Sequence, residues 1–143
     1  MFWLLEKNKS ELGRIFTIIS FTCILFFTFY LKWIHLQFDV GRELYQAFAI
    51  ATQGKILYLE LTHYFGPIAP YSNALFLNIF GTTLFNFSLI GLLISIIAAL
   101  LVYQISKRVL SETNSLYASL LFITFSVINQ GGGSLFMPYS FAH

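Results

Sequence analysis

Asp39, Arg42 and Glu43 are the residues of this chain best suited to chemistry. They fall in the run Phe38-Asp39-Val40-Gly41-Arg42-Glu43, just past an apolar segment long enough to cross a bilayer. Charge is scarce, with 57% of residues hydrophobic and 10% charged, so this clustering is informative. Ionisable groups held at a membrane surface lose solvation, and they are retained where something offsets that loss. The run therefore reads as an anchored polar site facing one side of a membrane. Asp39 also stands where a helix N-cap belongs, a position that Asp favours. Arg42 can grip a phosphate through its forked guanidinium, or pair with Asp39 or Glu43. Glu43 reads first as a solvated or paired carboxylate. Lys55 and Glu60 are the remaining formal charges between Trp33 and Leu61 and read as surface charges. His63 and Tyr64 lie further along. Like Tyr58, they suit the headgroup level, where aromatic side chains collect, and they are secondary candidates for touching a substrate.

The elements that must position these groups follow from hydropathy. Met1 to Arg14 is a short amphiphilic lead carrying Lys7, Lys9 and Arg14 against Glu6 and Glu11. Ile15 to Leu31 forms a first span, with Lys32 and Trp33 at its exit. No small-x-small cleavage site follows, so this is an uncleaved anchor. After Asp39 the pattern turns helical. Leu44, Ala47, Phe48 and Ala51 recur at i, i+3, i+4 and i+7 and predict one apolar stripe, with Tyr45, Gln46 and Gln53 off it. Gly54 suits the position past the helix end. This helix is expected to lie in the interface. Gly66-Pro67 breaks the chain. A helix can start near Pro70, and Tyr71 to Phe80 is too short to cross, which fits an interfacial or re-entrant piece ending at Gly81. Leu84 to Ser106 is the second span, closed by Lys107 and Arg108. A third runs from Leu116 to Ile128, before Gly131-Gly132-Gly133. The expected fold class is thus an all-α membrane protein, with about three transmembrane helices and interfacial or re-entrant helices in the first external loop.

Composition excludes other classes. A mean hydropathy of +0.75 and 19% aromatic residues do not belong to an ordinary soluble domain. The net charge of +2 comes without a basic stripe, which argues against nucleic-acid binding. Cys23 is the sole cysteine, so no internal disulfide forms, and it reads as a small packing residue. His35, His63 and His143 make no ligand pattern, so no cofactor is expected and nothing in the residues supports a divalent metal. Asn86-Phe87-Ser88 matches a glycosylation sequon but abuts a span. Lys7, Lys9, Arg14, Lys107 and Arg108 fall on one side if Tyr71 to Phe80 does not cross. The positive-inside rule makes that side cytoplasmic and the Asp39 loop extracytoplasmic.

The order Asp39-Val40-Gly41-Arg42, a short helix to Gly54, Leu57-Tyr58, Gly66-Pro67, an apolar run to Phe80-Gly81, and a span leaving through Ser106-Lys107-Arg108 resembles a known family. It is similar to the amino-terminal region of polytopic GT-C-type glycosyltransferases that use lipid-phosphate sugars, such as protein O-mannosyltransferases and the aminoarabinose transferases of lipid A. The resemblance runs from about Ile15 to Asn129. It implies that residues 1–143 form a single transmembrane domain at the front of a larger enzyme of the bacterial plasma membrane. That enzyme would work among membrane lipids, moving a sugar from a polyprenyl-phosphate donor to an extracytoplasmic acceptor. Asp39 matches the position of the family's catalytic acidic residue, which implies a general base or an acceptor-orienting carboxylate. Many relatives carry a second acidic residue directly after it. Here that position is Val40, and Glu43, one helical turn on, is a possible stand-in. The alternative is a small non-enzymatic polytopic protein, a transporter subunit or assembly scaffold, in which Asp39 and Arg42 are structural. The absence of charge within the clear spans weighs against transport.

Overall fold

The computed structural model describes residues 2–29, 39–64 and 66–129. Among them the chain is all helical: α1 (Phe2–Phe29), α2 (Asp39–Gln53), α3 (Ile68–Phe80), α4 (Leu84–Ser106) and α5 (Glu112–Asn129). The second expected span matches α4 at both ends. Thr83 caps it by accepting a hydrogen bond from the Asn86 amide at 3.2 Å. The first helix starts earlier than expected, at Phe2, because the lead from Phe2 to Arg14 holds no proline and only Gly13 as a weak helix former. α3 starts at Ile68, and Pro70 falls within its first turn, where a missing amide hydrogen is harmless. Gly54 (φ 66°) and Gly81 (φ 97°) both adopt the left-handed region just past a helix end, which their lack of a Cβ permits. The predicted exit residues Lys32 and Trp33, the glycine run and the remaining tail lie outside the described residues.

Among the described residues, two helices are long and apolar enough to cross a bilayer, α1 over Lys9–Phe29 and α4 over Leu84–Ser106. α4 alone is about 34 Å long at 1.5 Å per residue. α5 falls short on composition, since it opens on Glu112-Thr113-Asn114. α1, α4 and α5 pack around Ile18, Phe26, Leu92, Ala99, Tyr103, Ile123 and Val127. Small hydroxyl residues let the backbones approach. Buried Ser119 on α5 donates to the Ala99 carbonyl on α4 at 2.7 Å, while Ser95 and Thr22 return their hydroxyls to their own helices. Phe16, Ile24 and Phe27 on α1, Leu101 on α4 and Phe125 on α5 point outward, as lipid-facing residues do.

Ion pairs join α1 to α5 and to the end of α4. Arg14 on α1 pairs with Glu112 on α5, and Lys107 past α4 pairs with Glu11 on α1. Hydrogen bonding to the Glu11 carboxylate holds the Lys107 ammonium above the usual lysine range. These pairs gather the start of the apolar run of α1, the end of α4 and the start of α5 at one end of the bundle. α2 and α3 sit at the other end, where Ala47, Leu77 and Phe87 join α2, α3 and the start of α4. α3 spans only about 20 Å by the helical rise, too short to cross.

Candidate functional site

α2 begins at Asp39, so the first candidate residue opens the helix as the Asp-Val-Gly-Arg run predicts. Its side chain is outside the described part of the structure. Glu43 lies one turn further along the same face and is almost inaccessible, at 2% exposure. Arg42 Nη2 donates to Glu43 Oε1 at 3.3 Å. His63, brought back by the segment after α2, places Nδ1 3.9 Å from the same oxygen, its side chain 2% exposed. His63 Nε2 faces the Gly66 carbonyl at 3.3 Å. A carbonyl only accepts, so Nε2 carries the hydrogen and Nδ1 is the nitrogen turned toward Glu43.

The segment carrying His63 is built to fold back. Glu60 Oε2 accepts from the Ile56 amide at 2.8 Å, and Tyr58 donates its amide to the Leu61 carbonyl at 2.9 Å. These bonds close a tight turn, at the expense of a left-handed Tyr58 (φ 66°). Leu57 and Leu61 then pack on Ala49 of α2, and the Leu57 amide donates to the Tyr71 hydroxyl of α3 at 3.3 Å. His63 is therefore an interior residue, which corrects the expectation of a headgroup-level side chain. Tyr64, the next residue, is 78% exposed and does not join the cluster. Glu60 is a turn-closing group, and Lys55 reaches the Tyr45 hydroxyl at 3.4 Å on the exposed side of α2.

The buried face of α2 differs from the predicted stripe. Glu43, Gln46, Ala47 and Ala49 are buried, while Phe48 and Tyr45 are exposed. The returning turn covers the polar side of the helix, and α3 covers the next. Gln46 was therefore missed: it sits three residues after Glu43, donates through Nε2 to the Thr62 carbonyl at 2.7 Å, and leaves Oε1 without a hydrogen-bond partner among the described residues. Its spacing from Asp39 and Glu43, i+7 and i+3, is the signal that marks it. Asn86 has a structural task. Its side chain donates to the Phe80 and Gly81 carbonyls and clamps the α3–α4 corner.

Two helices with bilayer-length apolar runs, and at one end a buried carboxylate, imidazole and amide beside a half-buried guanidinium, fit a helical membrane protein with a polar cluster at the bundle's end. A sequence model of dolichyl-phosphate-mannose-protein mannosyltransferases matches residues 65–137. The chain belongs to that family. Membership implies a membrane setting and a lipid-linked sugar donor, and it does not favour the non-enzymatic alternative. The match covers α3, α4 and α5 and begins after Asp39, Arg42, Glu43, His63 and Tyr64. No curated protein and no solved structure matches the chain.

Proposed function

We propose that this chain forms the amino-terminal, site-bearing part of a membrane glycosyltransferase that passes a sugar from a polyprenyl-phosphate donor to an acceptor outside the cytoplasm. The supporting observation is the cluster of Arg42, Glu43, Gln46 and His63, folded over α2 at the bundle end opposite Arg14 and Lys107 in a chain of the mannosyltransferase family. With the basic end cytoplasmic, the cluster and Asp39 face the exterior, and α5 is the third crossing.

Asp39 is the general base. It takes the proton of an acceptor hydroxyl or amine as that atom bonds to the anomeric carbon. The bond from that carbon to the donor phosphate breaks, and polyprenyl phosphate leaves with the electron pair. A single displacement inverts the anomeric configuration. Arg42 receives the growing charge on the leaving phosphate, with Glu43 orienting the guanidinium and His63 fixing Glu43. Gln46 Oε1 accepts from a sugar hydroxyl, and Tyr64, on the exposed side of the turn, contacts the acceptor or the sugar rim. The test is sugar transfer by membranes carrying the intact enzyme, with polyprenyl-phosphate-linked mannose as the first donor. Asp39→Asn keeps the capping chemistry of Asp and removes the base. Loss of transfer with unchanged helix content is expected; full transfer by that variant would refute the assignment.

A further inference from the structure

Two backbone carbonyls decide which atoms of the buried cluster on α2 are left as acceptors. The Gly66 carbonyl takes the hydrogen of His63 Nε2 at 3.3 Å, which leaves the lone pair of Nδ1 toward Glu43. The Thr62 carbonyl takes a hydrogen of Gln46 Nε2 at 2.7 Å, which fixes which branch of the amide is its oxygen. That oxygen, Gln46 Oε1, is buried and has no hydrogen-bond partner among the described residues. Glu43 supplies the third acceptor, its side chain 2% exposed. A carboxylate oxygen, an imidazole nitrogen and an amide oxygen are thus held by one turn of α2 and the segment that folds back over it.

A proton on Nδ1 would give Glu43 an ion-pair partner, but it would offer Gln46 Oε1 nothing. A metal ion accepts from all three. Nδ1 and Glu43 Oε1 stand 3.9 Å apart, too far for a hydrogen bond. An ion bound at about 2.1 Å to each would hold them about 3.4 Å apart in a tetrahedral site, so a closure of about half an ångström forms both bonds. An imidazole whose far nitrogen donates to a carbonyl is oriented as metal-binding histidines commonly are. A small ion also has a way in, since a polar pocket of about 220 Å³ lined by Glu60, Thr62 and His63 opens beside the imidazole. Among the described residues no three of His, Cys, Asp and Glu converge, so the third ligand is the amide.

We propose that Glu43, His63 Nδ1 and Gln46 Oε1 bind one divalent metal ion. Mixed nitrogen and oxygen donors suit a first-row ion such as Mn²⁺ or Zn²⁺ better than Ca²⁺, which takes oxygen alone. Arg42 Nη2, 3.3 Å from the same Glu43 oxygen, is the competing cation and weakens the site. Gln46 Oε1 keeps a second lone pair for a sugar hydroxyl. The ion pins the returning turn to α2, and the proposal does not depend on the role given to Asp39.

The test uses the full chain in detergent, stripped with a chelator and titrated with Mn²⁺ while electron paramagnetic resonance follows the free ion. One ion per chain is expected, with spin-echo modulation from a directly bound imidazole nitrogen. His63→Phe should remove that modulation and lower the affinity by more than the roughly 10- to 100-fold that losing an outer partner costs. Arg42→Gln removes the rival charge and should tighten binding severalfold, a gain that a loosened fold does not produce. Failure of the parent to retain Mn²⁺ would overturn the proposal, as would retention without nitrogen modulation. So would modulation that survives in His63→Phe, or weaker binding in Arg42→Gln. Sugar transfer is not the readout, so the outcome stands apart from the function proposed above.

Discussion

The two ends of this bundle both carry charge, and they carry it differently. At one end Glu11 faces Lys107 and Arg14 faces Glu112, each carboxylate with its own cation and all partly open to solvent. At the other end Glu43 and His63 are nearly inaccessible, and one carboxylate oxygen is approached by both Arg42 and His63. Partly exposed pairs contribute little, about 0–1 kcal/mol each. They set which helix ends meet, and chemistry is not needed to explain them. Burying a carboxylate is a different matter, because its desolvation must be offset by close partners. The short chain gains little stability from such a cluster. Its burial without an evident gain in stability is what singles it out, and the contrast with the other end is measurable.

The largest effect should come from the residue that opens α2. Asp39→Asn is expected to lower sugar transfer by about 10²–10⁴-fold, the usual contribution of a general base, with little change in thermal unfolding. The corresponding change at the far end, Glu11→Gln, should leave transfer within about twofold, since a partly exposed pair contributes so little. Equal losses at both ends would dissolve the contrast between a working and a structural cluster.

Next in size is Glu43→Ala. Removing one partner from a buried charged group leaves the others uncompensated and costs about 3–5 kcal/mol. The unfolding midpoint of the variant should fall well below that of Glu11→Ala, whose loss should stay within about 1 kcal/mol. Thermal unfolding of both variants in the same detergent decides it. If the two midpoints coincide, Glu43 is no more demanding than a surface carboxylate, and its burial carries no functional meaning.

Much of this architecture was legible in the sequence, for identifiable reasons. α4 matches its predicted bounds because its limits are set locally, by Thr83 at the start and the Lys107-Arg108 exit. Gly54 and Gly81 end helices because their backbone requirement is written into one residue each. The start of α2 at Asp39 is of the same kind. What the sequence hid is non-local. The apolar stripe of α2 predicts Phe48 inside and Gln46 outside, and the structure reverses both, because the turn from Ile56 to Tyr64 folds over the polar side. Nothing in a helical period of 3.6 reports a covering segment supplied from elsewhere. His63 read as interfacial for the same reason. The pairing of Glu11 with Lys107 bridges positions far apart in the chain, and spacing alone does not reveal it.

Gln46 sharpens the comparison within the site itself. Its Nε2 ties α2 to the returning turn through Thr62, and its buried Oε1 has no hydrogen-bond partner among the described residues. Gln46→Leu, nearly the same volume, gives up the bond to Thr62, a net loss of about 0.5–1.5 kcal/mol. If Oε1 also meets a sugar hydroxyl, KM for the donor rises about threefold to tenfold beyond any effect on folding, the equivalent of one hydrogen bond. An unchanged KM with a lowered unfolding midpoint would make Gln46 a tie between two segments and nothing more.

The smallest expected effect lies at the ion-paired end, and its pH dependence has a definite sign. The Glu11 carboxylate raises the Lys107 pKa above its unfolded value, so the pair's stabilisation is fully present below the ordinary lysine value of about 10.4. It is lost as pH rises through the raised folded value, where the ammonium deprotonates. Between pH 6 and about 9 stability should therefore be insensitive to this pair, and the parent should weaken only at more alkaline pH. Lys107→Met removes the titrating ammonium, which also lies 5.3 Å from the centroid of the Tyr103 ring, while keeping an apolar stem of similar length. The variant should be less stable than the parent at neutral pH by at most about 1 kcal/mol, and the gap should close as the pH is taken past the lysine range. Unfolding midpoints of parent and variant across that alkaline window measure the gap directly. A gap that stays constant would mean that Lys107 acts through its apolar stem and not through its charge, and the two ends of the bundle would then differ in kind, one held by electrostatics and the other by contact alone.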